Sequence, residues 1–265
     1  PPLLGSGPSG LPLLYAPDAP KNGPAMARNR PSPRQYRKVL GLRPLGFVLL
    51  SVLRVLGLRF VAPPSAAVIM EQHIDHWQHP DATAVRPRHW VSMREVSPQL
   101  PLALVAAEDQ RFPYHHGFDF ESINKALQAA DDGKRLRGAS TISQQTAKNL
   151  FLWDGRSYIR KGLEAWFTVL IETLWPKQRI LEVYMNIAQF GDGIYGVEAA
   201  SRDFYHRAPA SLDTAQAACL AAVLPNPVRF KVDHPSAYVE QRVAWIQQQM
   251  RQLGGPAYLP FLRRH

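Results

Sequence analysis

The sequence predicts a mainly α-helical fold, and three observations predict it. Apolar residues recur at helical spacing, most clearly Leu163, Trp166, Phe167, Leu170, Ile171 and Leu174, which share one face of a 3.6-residue helix. Helix-starting residues precede the apolar runs at Ser97-Pro98, Asp119 and Ser140. There a short polar side chain can satisfy first-turn amides, and proline fits the first helical position. No convincing strand run follows Ser97.

The 265 residues are 46% hydrophobic and 20% charged, ordinary values for a chain that buries a core and is not disordered as a whole. The formal net charge of +10 favours polyanions: nucleic acid, anionic lipid or a phosphorylated substrate. The lone cysteine, Cys219, lies in an apolar run and excludes an intrachain disulfide and a cysteine-based zinc site.

Residues 1–39 read as a disordered basic tail. Residues 1–25 are rich in Pro, Gly and Leu, either disordered or upstream of a true start at Met26. Arg28, Arg30, Arg34, Arg37 and Lys38 follow without an acid. Residues 40–62 are mostly Leu, Val, Phe and Gly, close to the ~20 residues that span a bilayer core, and are expected to form a membrane anchor helix. Arg54 falls mid-span and Arg59 near the far end, so the competing reading is an amphipathic helix lying in the interface. The upstream basic cluster would stay cytoplasmic and place residues 63–265 outside.

From Ser65 to Val96 the chain is mixed. His73 and His76 could share a helical face, but no third ligand appears at matching spacing, so no metal site is expected. A helix runs from Ser97-Pro98 through Leu102, Val105 and Ala106 towards Phe112-Pro113. Asp119 caps a second, with Ile123, Leu127 and Ala130; Ser140 caps a third, with Gln144, Gln145 and Lys148. Pro176 separates the 163–174 stripe from a helix with Ile180, Leu181, Tyr184 and Ile187. Gly191, Gly193 and Gly196 form a turn-rich loop without the strand and spacing of a phosphate-binding glycine loop. Helices over 212–224 and 236–252 complete the chain before Gly254-Gly255.

Glu108 ends a helix below a proline-containing loop, where apolar neighbours would raise its pKa into a range useful for proton abstraction. The plainer reading is a surface acid at a helix end. Glu164 follows Arg160 and Lys161 by one turn, and a structural ion pair would account for it. His115 and His116 are adjacent and cannot both serve one metal. Ser140, Thr141, Gln144 and Gln145 offer donors around a helix N-terminus, a natural anion site, although capping alone explains Ser140. Arg137, Lys148, Arg156, Arg160 and Lys161 could gather around a diphosphate, or could simply be a solvated face.

Taken together these segments resemble the monofunctional biosynthetic peptidoglycan transglycosylases, the family 51 glycosyltransferases. Residues 108–119, E-D-Q-R-F-P-Y-H-H-G-F-D, match the family's E-D-x-x-F-x-x-H-x-G-x-D. Residues 138–145, G-A-S-T-I-S-Q-Q, match G-x-S-T-I-T-Q-Q, with Ser143 in place of threonine. Residues 160–164, R-K-G-L-E, match R-K-x-x-E. A fourth motif covers Arg179 to Asn186 and Gly191 to Ala200, and a fifth lies around Ala221 to Pro227. The likeness covers roughly Ser65 to Gly255, and no second domain with a Ser-x-x-Lys nucleophile is present, so it is to the stand-alone form.

The resemblance implies a lysozyme-like helical domain with a small membrane-facing jaw and one N-terminal membrane helix. It implies polymerisation of lipid II: the growing glycan passes from undecaprenyl diphosphate to the GlcNAc 4-hydroxyl of lipid II, with inversion to a β-1,4 linkage. Glu108 would be the general base and Glu164 the second essential carboxylate. Lys148 and Arg156 would bind diphosphate. Ser140, Gln144 and Gln145 would line the donor site, with Arg160, Lys161 and Asp119 as further substrate-binding residues and Asp109 as a support for the loop. No cofactor would be required, and Mg²⁺ or Mn²⁺ would at most stimulate. The expected partners are lipid II, the glycan strand, the membrane, and cell-wall and division proteins. The expected location is the inner membrane, single-pass, with the N-terminus cytoplasmic and the catalytic domain periplasmic. Two other readings compete, a lysozyme-like lytic glycosidase and a non-catalytic cell-wall scaffold. Nucleic acid is not expected, because the basic cluster adjoins a hydrophobic segment rather than an aromatic-interleaved surface.

Overall fold

A computed structural model of the chain describes residues 33–131 and 140–262. Among them the fold is helical almost throughout: α1 (Pro33–Leu58), α2 (Ala67–Gln78), α3 (Gln99–Glu108), α4 (Phe120–Asp131), α5 (Ile142–Phe151), α6 (Tyr158–Leu174), α7 (Lys177–Ile187), α8 (Val197–Tyr205), α9 (Thr214–Val223) and α10 (Ala237–Gln252). A small antiparallel hairpin of β1 (Gln189–Gly191) and β2 (Ile194–Tyr195) interrupts them, where the sequence suggested only a loop. Gly193 at its tip has φ 70°, and a Cβ there would stand 2.4 Å from the Ala84 carbonyl oxygen. Only glycine fits that turn. The chain divides into two units, residues 1–45 and 46–265. Most of the expected tail, and Arg137 with its neighbours, lie outside the described residues.

The core of the second unit follows from helices that are apolar all round. Leu100 to Ala106 of α3 are buried without exception, as are Ala217, Ala218, Leu220, Ala221, Ala222 and Val223 of α9. A helix with no polar face has to be central. The alanine side of α9 allows close approach, and α3, α9 and α10 form one packed group. The amphipathic helices α5, α6 and α7 form a second. Its inward stripe includes Phe167, Leu170 and Ile171, at the spacing read from the sequence. The helix expected to reach Phe112 stops at Glu108, and α2 occupies part of the stretch that read as mixed.

The N-terminal segment departs from expectation. Among the described residues no helix is long and apolar enough to cross a membrane. α1 begins at Pro33, and from Gly46 onward it belongs to the same unit as the core. The indole of Trp166 donates to Ser51 Oγ at 3.1 Å and that of Trp175 to the Val55 carbonyl at 2.7 Å. Arg54 lies over the Phe151 ring at 5.4 Å, and Arg59 donates to the Leu174 carbonyl at 2.8 Å. The arginines that spoiled the segment as a span are thus the side chains that fasten it to α5 and α6. Phe47, Leu49, Leu50, Leu53 and Phe60 remain exposed.

Candidate active site

Glu108 is the last residue of α3, so the most buried helix of the molecule delivers it to the end of the core. Its Oε2 accepts from Gln145 Nε2 at 3.0 Å, and its Oε1 from the Arg242 guanidinium at 3.2 Å. Gln145 is itself held, because the Tyr184 hydroxyl donates to its Oε1 at 3.0 Å and so turns the amide NH₂ towards Glu108. Four helices, α3, α5, α7 and α10, meet at one carboxylate. With its side chain 14% exposed, burial pushes the Glu108 carboxyl up, against the opposing pull of Gln145 and Arg242 and with a smaller push from Asp109. A raised carboxylate with an accessible lone pair is a suitable general base. Burial also holds the Tyr184 phenol well above its ordinary range, so it stays a donor.

The loop after Glu108 is fixed by a buried pair. Asp109 Oδ2 accepts from His115 Nε2 at 2.9 Å and from the Ile142 amide at 3.0 Å, which ties α3 to the first turn of α5. His115 Nδ1 accepts from the Gly117 amide at 3.0 Å, which leaves Nε2 to donate to Asp109. Gly117, with φ 92°, presses against α6; a Cβ there would lie 2.8 Å from Thr168 Cγ2. Behind this loop Glu172 accepts from Lys177 at 2.8 Å and from Ser143, so the serine that replaces threonine in the second motif uses its hydroxyl to brace α5 against α6.

The cap of α5 is Thr141 rather than Ser140. Thr141 has extended backbone and its Oγ1 accepts from the Gln144 amide at 3.2 Å, while Gln144 Oε1 accepts from the Thr141 amide at 3.0 Å. Such a reciprocal box satisfies two otherwise unpaired donors. It also separates the paired glutamines: Gln144 is buried in the cap, while Gln145 reaches Glu108. Ser140 is exposed.

Two cavities lie beside this hydrogen-bonded centre. One, of 510 Å³, is lined by Gln145, Lys148, Asn149, Tyr184, Glu71 and Asp154 among others. The other, of 280 Å³, is lined by Glu108, Asp109, Asp119, Ser140, Thr141 and Trp245 among others. Gln145 lines the first and Glu108 the second, so their hydrogen bond runs between the two walls. Asp119 also caps α4, accepting from Ser122 at 3.1 and 2.6 Å, and burial opposes those bonds in setting its lowered pKa.

The remaining expected residues lie in neither lining. Glu164 is buried on α6, where Arg160 donates to it at 3.1 Å and Lys161 also pairs with it. Arg160 Nε is buried and has no hydrogen-bond partner among the described residues. Arg156 is exposed in the connection between α5 and α6. The structure therefore places Glu108, Ser140 and Asp119 in one cavity and Gln145 and Lys148 in the other, and gathers Arg160 and Lys161 around Glu164 outside both, with Arg156 exposed nearby in sequence. Among the described residues no three His, Cys, Asp or Glu side chains are grouped to hold a metal ion. Arg242 and Trp245 escaped the sequence reading because α10 carries no motif. Tyr184 lies in the fourth motif and in the apolar stripe of α7, and neither marks it as a partner of Gln145.

The helices thus set a half-buried carboxylate, Glu108, in the wall of one polar cavity and its hydrogen-bond partner Gln145 in the wall of another. Residues 77–251 match the family described as Transglycosylase. The chain is 54% identical over 226 residues to the biosynthetic peptidoglycan transglycosylase of Xanthomonas campestris pv. campestris (strain B100), covering 85% of this chain and 92% of that one. It is 53% identical over 211 residues to the protein of that description from Xylella fastidiosa (strain M23), covering 80% and 87%. The chain belongs to the transglycosylase family.

Proposed function

We propose that this transglycosylase is a peptidoglycan glycosyltransferase that polymerises lipid II. The growing glycan moves from undecaprenyl diphosphate to the GlcNAc 4-hydroxyl of a lipid II acceptor, with inversion to a β-1,4 linkage. The observation that carries this reading is the half-buried Glu108 carboxylate, which lines one polar cavity and accepts from Gln145, which lines another. A transfer between two sugars needs a place for each and a base within reach of the acceptor hydroxyl.

In this mechanism Glu108 takes the hydroxyl proton as the acceptor oxygen bonds to the anomeric carbon, and the diphosphate leaves with the electrons of the broken C–O bond. Departure of a dianionic group calls for cations more than for a second acid. Lys148 supplies one within the larger cavity, and Arg156, Arg160 and Lys161 supply others at the start of α6. Glu164 spends its carboxylate on Arg160 and Lys161, which makes it the anchor of those cations rather than a proton donor.

The enzyme works at the outer face of the inner membrane, where its lipid-linked substrate lies. The exposed apolar side of α1, with Phe47, Leu49, Leu50 and Leu53, and Ile159 at the start of α6 meet the lipid. The test is gel analysis of labelled lipid II products from the wild type beside Glu108→Gln. The wild type should lengthen chains, and the variant should bind lipid II without extending it. A variant that still polymerises, or a wild type that shortens finished glycan, would overturn the assignment.

A further inference from the structure

We propose that Arg242, on a helix outside every recognised motif, is a positioning residue that aims and restrains the Glu108 carboxylate during proton abstraction. The inference rests on Glu108 being the base.

The guanidinium is pinned at two points. Its NH2 donates to Glu108 Oε1 at 3.2 Å and its Nε to the Ala222 carbonyl at 3.2 Å. Ala222 lies in the last turn of α9, where carbonyls lack an intrahelical amide and the helix presents its negative end. Arg242 thus satisfies an orphan acceptor with one nitrogen and the carboxylate with another. A planar fork held this way has little freedom left, and with its side chain 19% exposed it is only weakly screened by solvent. Together with Gln145 on the opposite oxygen it fixes the plane of the carboxylate, while each oxygen keeps a further lone pair for the incoming proton.

The electrostatic surroundings give the same role a second component. The groups around Glu108 are Asp109 beside it, Arg111 and Asp119 in the wall of the same cavity, the neutral Gln145 of α5 with Lys148 in the neighbouring cavity, the neutral Tyr184 of α7, and Arg242 of α10. Among the described residues Arg242 is the cation that pairs with this carboxylate. Burial raises the Glu108 carboxyl and Arg242 pulls against it. Arg242 also lines a 250 Å³ hollow with Tyr238, Gln241 and Trp245, and Trp245 walls the Glu108 cavity as well. A sugar lying along α10 would therefore press on the residue that orients the base.

The test compares wild type, Arg242→Gln, Arg242→Lys and Glu108→Gln across a full pH profile of polymerisation of labelled lipid II, with melting temperature recorded for each. Arg242→Gln should lose about 10- to 100-fold in kcat at neutral pH, the scale of a misaligned catalytic group, with KM little changed. The deficit should narrow as pH rises, because a base deprived of its cation ionises only at higher pH. Arg242→Lys should recover much of the rate. Unchanged kcat and pH profile in Arg242→Gln beside an inactive Glu108→Gln would overturn the proposal. So would a loss equal at every pH, carried by KM and not rescued by lysine, since that is the signature of a purely structural contact. Activity retained by Glu108→Gln would instead overturn the assignment of the base, and this inference with it.

Discussion

Replacing Tyr184 with phenylalanine removes one oxygen and tests how the base is held. Tyr184 is 1% exposed, and its hydroxyl donates to Gln145 Oε1 at 3.0 Å. Without it a buried carbonyl loses its partner, which costs about 1–3 kcal/mol. In a domain of this size each kcal/mol lowers the melting temperature by about 2–4 °C. The catalytic effect is separate. The hydroxyl decides which end of the Gln145 amide faces Glu108, and a freed amide can present oxygen instead of NH₂ to the carboxylate. A hydrogen bond to a charged group contributes roughly 1.5–3 kcal/mol, so kcat should fall by about one to two orders of magnitude. Steady-state polymerisation of lipid II and thermal melting measure the two effects together. A Tyr184→Phe protein with both the melting temperature and the kcat of the wild type would show that the amide is oriented by something else.

Three further outcomes follow from the same geometry. Because burial raises the Glu108 carboxyl and the ionised form is the base, the acid limb of the pH–rate profile should lie above the ordinary carboxylate range. A raised carboxyl lends stability below its unfolded pKa and loses it as pH rises through the folded value. The melting temperature of Glu108→Gln should therefore exceed that of the wild type at neutral pH and converge with it in acid. Thr141→Val removes the α5 cap and a 2.7 Å bond to the Gly117 carbonyl; a loss of about 1–2 kcal/mol in chemical denaturation is expected. Replacing Phe47, Leu50 and Leu53 together by serine should weaken sedimentation with anionic lipid vesicles and leave the fold's circular dichroism unchanged.

Periodicity and capping chemistry carried most of the fold, because the α6 stripe and the apolar runs of α3 and α9 leave a helix few alternatives. Boundaries were less legible. Ser140 and Thr141 are both good caps, and only the reciprocal bond with Gln144, three residues after Thr141, selects the second. The site was half visible. Glu108 stood out by position, and Gln145 by its motif. What joins them is a tyrosine that looks like core and an arginine on a helix with no signature, and such partnerships are made by packing between helices far apart in sequence. The N-terminal segment shows the same limit. Hydropathy sums one segment at a time, and it cannot register that Arg54 and Arg59 have partners on α5 and α6.

Those partners alter where the enzyme begins. A shortened chain starting at residue 63 would strip the acceptors from the Trp166 and Trp175 indoles and from Arg179, which donates to the Leu58 and Val61 carbonyls at 2.9 and 2.6 Å. Trimming the greasy leader for convenience would thus unroof the floor beneath α6 and α7, and a soluble fragment so prepared should be fragile for reasons unrelated to lipid.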